Sequence, residues 1–154
     1  MYIYIFPLVF SYTVYHYIRK KRVCKEISLR RVKIMQNSCL FCKIIAGEIP
    51  SSKVYEDDKV FAFRDINPQA PVHVLVVPKA HIESADAIDA STSCEVAAVF
   101  EAIPAVAAAC GLKNGYRVIT NIGEDGCQSV KHIHFHLLGG AKLPESMGIL
   151  QIFN

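Results

Sequence analysis

Polar and apolar residues alternate strictly through His132, Ile133, His134, Phe135, His136 and Leu137, near the C-terminal end of the chain. Strand side chains change face at every residue, so this run predicts a strand with three imidazoles on one face and Ile133, Phe135 and Leu137 on the other. Upstream, residues 54–56 and 60–65 read as strands around an Asp57-Asp58 turn, with Phe61 and Phe63 making one face aromatic. The apolar run 72–78 predicts a third strand, closed by Pro78, which has no N–H for the ladder. Residues 116–121 predict a fourth, and a glycine-containing loop over 122–130 leads into the histidine run. Helical spacing takes over in 91–110, which is Ala-rich, opens on capping-type Ser/Thr residues and stops at Gly111. Pro104 inside it predicts a kink or a fresh helical start. A short helix is expected over 42–46, closed by Gly47. Strands, one long helix and strands again favour an α+β antiparallel meander over a parallel wound sheet.

Length and charge refine this picture. A chain of 154 residues with 52% hydrophobic and 20% charged residues suits one domain with a real core. The net charge of +3 averages two unlike segments. Residues 1–34 carry eight Lys or Arg against one Glu, for +7, while the remainder carries nine basic and thirteen acidic residues, for −4. The globular part is therefore mildly acidic, which argues against a nucleic-acid surface. Residues 1–18 are apolar and Tyr-rich, then Arg19–Arg22 form a basic cluster. Three readings stand for the 1–34 extension: a short membrane anchor facing the domain to the cytoplasm, a disordered leader, or a gene-model stretch ahead of a start at Met35. A cytoplasmic domain over 35–154 is expected, with mitochondrial targeting as an alternative and a membrane as partner only if 1–18 anchor. The six cysteines, with no secretory signal ahead of them, read as thiols or metal ligands rather than disulfides.

Same-face strand residues lie roughly 6.5 to 7 Å apart, so one metal could hardly take all three imidazoles. The row divides more readily into a ligand, a nucleophile and a hydrogen-bond donor. A neutral imidazole attacks phosphorus competently at neutral pH, and a covalent intermediate splits one hard step into two. The loop Gly123–Ser129 can turn backbone N–H groups toward phosphate oxygens. Cys39-x-x-Cys42 fits half of a tetrahedral zinc site. Thioredoxin-like redox motifs share that spacing, but no βαβ context surrounds it here. Taken alone, Asp65 reads as a turn residue and His73 as a core histidine.

The spacing His132-x-His134-x-His136-Leu137-Leu138 resembles the signature of the histidine-triad family. Four further stretches resemble its nucleotide-binding (Hint) branch: residues 39–50, 63–71, 73–79 and 121–129. The resemblance implies an antiparallel five-stranded sheet with one long and one short N-terminal helix, a homodimer formed through the long helix and a sheet edge, and purine mononucleotide derivatives as ligands. It implies that His134 attacks the α-phosphate, with His136 and Ser129 binding the phosphate or leaving group and the backbone of Cys127 and Gln128 cradling the same oxygens. Asp65 then holds ribose, Ile66 flanks the base, Asn121 and Phe135 complete the nucleotide contacts, and His73 supports the triad from behind. Structural zinc is implied on Cys39, Cys42, His81 and His132, with no catalytic metal. The expected reaction is hydrolysis of purine nucleoside phosphoramidates. Dinucleoside polyphosphate hydrolysis and a non-catalytic nucleotide-binding regulatory module are the alternatives. A galactose-phosphate uridylyltransferase is disfavoured by Ile133 and His136, where that family has Pro and Gln. Two departures stand out: Cys127 where the Hint pattern commonly has Gly, and a tail after Gly140 without the Trp-Pro-Pro-Gly ending that can reach a partner's active site.

Overall fold

In the computed structural model, which describes residues 38–145, five strands form one fully antiparallel sheet: β1 (Lys53–Glu56), β2 (Val60–Arg64), β3 (Val72–Pro78), β4 (Tyr116–Ile119) and β5 (Phe135–Gly139). Helix α1 (Leu40–Ile45) precedes them, and α2 (Ser93–Ala109) joins β3 to β4. The expected extension over 1–34 and most of the atypical tail lie outside the described residues. Among the described residues no helix is long and apolar enough to cross a membrane.

The α+β class and the two helices are as the sequence predicts, but the sheet is a meander only in its first half. Strands run in the order β1-β2-β3-β5-β4, so the last strand inserts between β3 and the edge strand β4. That makes β5 an interior strand, paired on both sides, with Leu75 opposite His136 and Val74 opposite Leu137.

Alternation then sorts the side chains into two layers. Val60, Ala62, Val74, Val76, Ile133, Phe135 and Leu137 pack against Val99, Ala102, Ile103 and Val106 of α2. Phe61, Phe63, Leu75 and Val77 take the other face, covered by Cys39, Phe41, Cys42 and Ile44 from α1 and its approach. The triad histidines belong to this second face. A chemical site thus sits under a six-residue helix, with the bulk of the core behind it.

Three local differences from the sequence reading have physical causes. The histidine strand begins at Phe135, not His132. Its partner β3 ends at Pro78, whose carbonyl is taken by the His132 side chain rather than a ladder N–H. Helix α2 runs unbroken through Pro104. Pro104 and Phe100, four residues before it, are both exposed, so the carbonyl left without an i+4 donor lies on the water side. The helix also starts at Ser93, because Asp89 gathers Ser91 and Thr92 into a turn through their N–H and O–H groups. Those bonds hold the Asp89 carboxyl down at about 2.

Candidate functional site

Cys39 precedes the first turn of α1 and Cys42 lies within it, so both thiols face the sheet. They meet His81, just past β3, and His132, just before β5. The ligating atoms of these four residues all lie within 4.8 Å of one another. Cys39 Sγ is 3.5 Å and Cys42 Sγ 3.6 Å from His132 Nδ1, and Cys42 Sγ is 3.4 Å from His81 Nδ1. A tetrahedral zinc with ordinary Zn–S and Zn–N bonds sets its sulfur and nitrogen ligands about 3.6 Å apart, so the donor set and its spacing fit that ion. The other nitrogen of His132, Nε2, donates to Pro78 O at 2.9 Å, which leaves Nδ1 as the lone-pair side. Burial, opposed by that bond and reinforced by His81 and His134, keeps His132 neutral down to about 4. Neutral imidazole is the ligating form.

His134 is buried, and its Nδ1–H donates to the carbonyl of His132 at 2.7 Å. In the neutral ring that bond fixes the tautomer and leaves Nε2 with its lone pair. Phe41 packs edge-on against both His134 and His132, with ring centroids at 5.2 and 6.0 Å. Thr120 Oγ1 donates to His134 O at 2.9 Å and ties the start of β5 to the end of β4. The rings of His134 and His136 lie edge-on at 5.1 Å.

A second relay sets the tautomer of His136. The Gln69 backbone N–H donates to His73 Nδ1 at 3.1 Å, so a neutral His73 carries its proton on Nε2. That N–H faces His136 Nδ1 at 2.9 Å and Asp65 Oδ2 at 3.4 Å. His136 then carries its own proton on Nε2, which is buried and has no hydrogen-bond partner. An unpaired buried donor costs on the order of 1–3 kcal/mol, and such an atom points to a missing acceptor. Burial, with His134 and His73 nearby, holds His136 down to about 4 against the pull of Asp65. Burial likewise lowers His73, so its contact with Asp65 is a neutral N–H facing a carboxylate.

This gives a pH prediction. Unfolded His136 titrates near 6.5 and folded His136 near 4. The unfolded state therefore binds more protons in that window, and the stability from keeping His136 neutral is complete above about 6.5 and lost as pH falls toward 4. His136→Asn should flatten the fall of the thermal midpoint over this range; an equally steep fall in the variant would refute the assignment.

The remaining residues singled out in the sequence are spread around this centre. Asp65 lies just past β2 with Oδ1 accepting from Asn67 N at 2.8 Å, and the neighbouring Ile66 is 92% exposed, as an uncovered apolar wall is. Asn121 is half-buried beyond β4, and Ser129 is exposed at the end of the loop. Cys127 is exposed and adopts a left-handed φ of 57°, a conformation that glycine takes without strain. Gly126 has no such latitude, because a Cβ there would collide with the Ile122 carbonyl oxygen. The Gln128 side chain is committed to backbone groups within and beside the loop. Phe135 turns its side chain into the α2-side core, edge-on to Phe100 at 5.2 Å, so it is the backbone of this residue that adjoins the histidine face. Phe41, Gln69 and Thr120 were not legible as site residues. Gln69 acts through its main-chain N–H and leaves no residue-type signal; Thr120 acts through its hydroxyl, but on a carbonyl 14 residues away, and Phe41 could have been found from its place inside the Cys39–Cys42 turn.

The chain is similar to known proteins in both sequence and fold. It is 46% identical over 125 residues to a 14 kDa zinc-binding protein of Zea mays, covering 77% of this chain and 93% of that one. The fold superposes on the structure of a histidine triad protein from Clostridium difficile at 50% identity and a TM-score of 0.69, covering 72% of this chain and 97% of that one. It superposes equally well on a HIT family hydrolase from Legionella pneumophila, at 45% identity and a TM-score of 0.69, covering 72% and 100% of the two chains. A family model for the HIT domain matches residues 46–143, and with the histidine face and the Cys/His cluster at its centre the chain belongs to the HIT family.

Proposed function

We propose that this protein hydrolyses purine nucleoside phosphoramidates, compounds in which an amine is bonded to the α-phosphate of a purine nucleotide, through a nucleotidyl-histidine intermediate. The supporting observation is the pair of opposite tautomers in adjacent imidazoles. His134 holds its proton on Nδ1 and offers the Nε2 lone pair, whereas His136 offers an unpaired Nε2–H. His134 Nε2 bonds to phosphorus as the P–N bond breaks, and the amine leaves with a proton taken from solvent. Water then adds its oxygen to phosphorus and breaks the bond to His134, returning one proton to solvent, releasing the mononucleotide and restoring neutral His134. His136 Nε2–H donates to a phosphate oxygen, where a well-aimed donor contributes roughly 3 to 4 kcal/mol in the transition state. Ser129 adds a further donor, while the backbone N–H groups of Cys127 and Gln128 already donate to Glu124 O and Gly123 O within the loop; Asp65 accepts from ribose, and Ile66 covers the base, with Asn121 beside them.

Cys39, Cys42, His81 and His132 hold zinc in this reading, as a cross-link between α1 and the sheet that takes no part in the chemistry. The domain spans 35–154 and acts in the cytoplasm as a homodimer. Phe100 on α2 and Tyr116 on the edge strand β4, 53% and 39% exposed, supply apolar surface for the second copy.

Release of AMP from adenosine 5′-phosphoramidate, run beside a diadenosine polyphosphate, tests the reaction. A higher kcat/KM on the phosphoramidate is expected. Preference for the polyphosphate would replace the P–N reading, and turnover of neither would leave a nucleotide-binding module.

A further inference from the structure

Gln128 joins two parts of the molecule that the proposed chemistry treats separately. A primary amide has two N–H donors and one acceptor oxygen, and here all are engaged. Oε1 accepts from Gly123 N at 3.2 Å, while the Gln128 backbone N–H donates to Gly123 O at 2.9 Å. These two bonds close the loop 123–128 on itself. Nε2 donates outward, to Glu83 O at 2.7 Å and Val130 O at 3.1 Å.

Those two carbonyls have a particular place in the chain. Glu83 lies two residues after His81, and Val130 two residues before His132. The two strands of chain are also joined by Ile133 N donating to Ile82 O at 2.6 Å. One amide nitrogen therefore bridges the backbone beside both imidazoles of the Cys/His cluster. Anything that fixes His81 and His132 relative to each other fixes the two acceptors of Gln128. The loop needs that support, because Gly123 to Cys127 are exposed and glycine at 123 and 126 leaves the backbone free. Ordering such residues costs conformational entropy that a tether must offset.

We propose that Gln128 is a positioning residue that couples metal binding at Cys39, Cys42, His81 and His132 to the order of the 123–128 loop, and thereby to phosphate affinity. The phosphate half rests on the function proposed above; the loop half does not. Glutamate in place of Gln128 keeps the stem and the acceptor but loses both donors, and alanine loses everything. Because coupling between two sites is reciprocal, the substitutions must also loosen zinc.

The test uses the full chain, zinc-loaded and chelated, as wild type, Gln128→Ala and Gln128→Glu. Exchange of the Gly123 amide reports the loop, an amide in α2 reports global opening, and AMP binding reports the site. In wild type, zinc removal should raise Gly123 exchange and weaken AMP each by about 10-fold with α2 unchanged. In both variants the loop should exchange fast already, the zinc effect on it should shrink below about 2-fold, and zinc affinity should drop by the coupling factor lost. Gly123 exchange that responds to zinc equally in wild type and variants would overturn the coupling. So would an unresponsive wild type, a protein that takes up no zinc, or α2 exchange rising in step. Absence of AMP binding with the exchange pattern intact would count against the nucleotide reading alone.

Discussion

His134→Ala is expected to lower kcat for adenosine 5′-phosphoramidate by about 10⁴-fold or more, the usual consequence of deleting a nucleophile whose partners act only with it. KM should change far less, because no contact assigned to ribose or base is touched. Nucleophilic attack needs a bare nitrogen, and in the neutral ring the bond from His134 Nδ1 to the His132 carbonyl leaves Nε2 as that nitrogen. A substitution that preserved the ring but lost that carbonyl bond would give a mixture of tautomers; alanine removes the ring itself. Alanine also leaves a cavity beside Phe41, which packs at 5.2 Å, and large-to-small changes in a core cost on the order of 2–5 kcal/mol. Thermal melts must therefore show that the variant is folded at the assay temperature. Quenching wild type during turnover should trap the nucleotidyl group on residue 134, and mass mapping should find it nowhere in the variant. A folded His134→Ala enzyme within tenfold of wild type would remove His134 from the chemistry.

Alternation made the layers legible: Ile133, Phe135 and Leu137 go to the α2 side and the histidines to the α1 side, as the period of two demands. It could not show where the ladder starts. That depends on Pro78 O accepting from His132 and Thr120 bonding His134 O, long-range contacts that draw residues 132–134 out of the ladder while keeping their facing. Strand order was equally hidden, since nothing local to β4 or β5 says which lies at the edge. Spacing alone offered Cys39 and Cys42 as half a site. His81 is 39 residues from Cys42, and His132 a further 51, so their meeting is a property of the sheet and was suggested only by family resemblance. Gln128 drew attention as a phosphate-loop residue, whereas its side chain turns out to serve the backbone around it.

Stripping zinc from the protein, or replacing Cys42 by alanine, should lower the thermal midpoint on the order of 10 to 20 °C. The estimate follows from linkage: a ligand bound only by the folded state at a thousandfold excess over its Kd contributes about 4 kcal/mol, and each kcal/mol moves the midpoint of a domain this size by several degrees. The physical reason lies in the layer that α1 covers. A helix of six residues is too short to be stable alone, and its N-cap position holds Cys39 with no side-chain cap bond. Hydrophobic contacts of Phe41 and Ile44 hold it in part; four ligands from α1 and the far ends of β3 and β5 would hold it far more firmly. Loss of one thiolate leaves a three-ligand site that binds weakly and lets α1 lift from the sheet. Phe41 would then leave His134, so chelated protein should lose activity at temperatures where its sheet is still folded. Metal analysis of protein purified under reducing conditions should give one zinc per chain, falling well below that in Cys42→Ala. Substoichiometric zinc in wild type, or a midpoint that chelation does not move, would mean that burial alone keeps α1 in place and that the 3.4 to 3.6 Å spacing of sulfur and nitrogen reflects packing around protonated thiols.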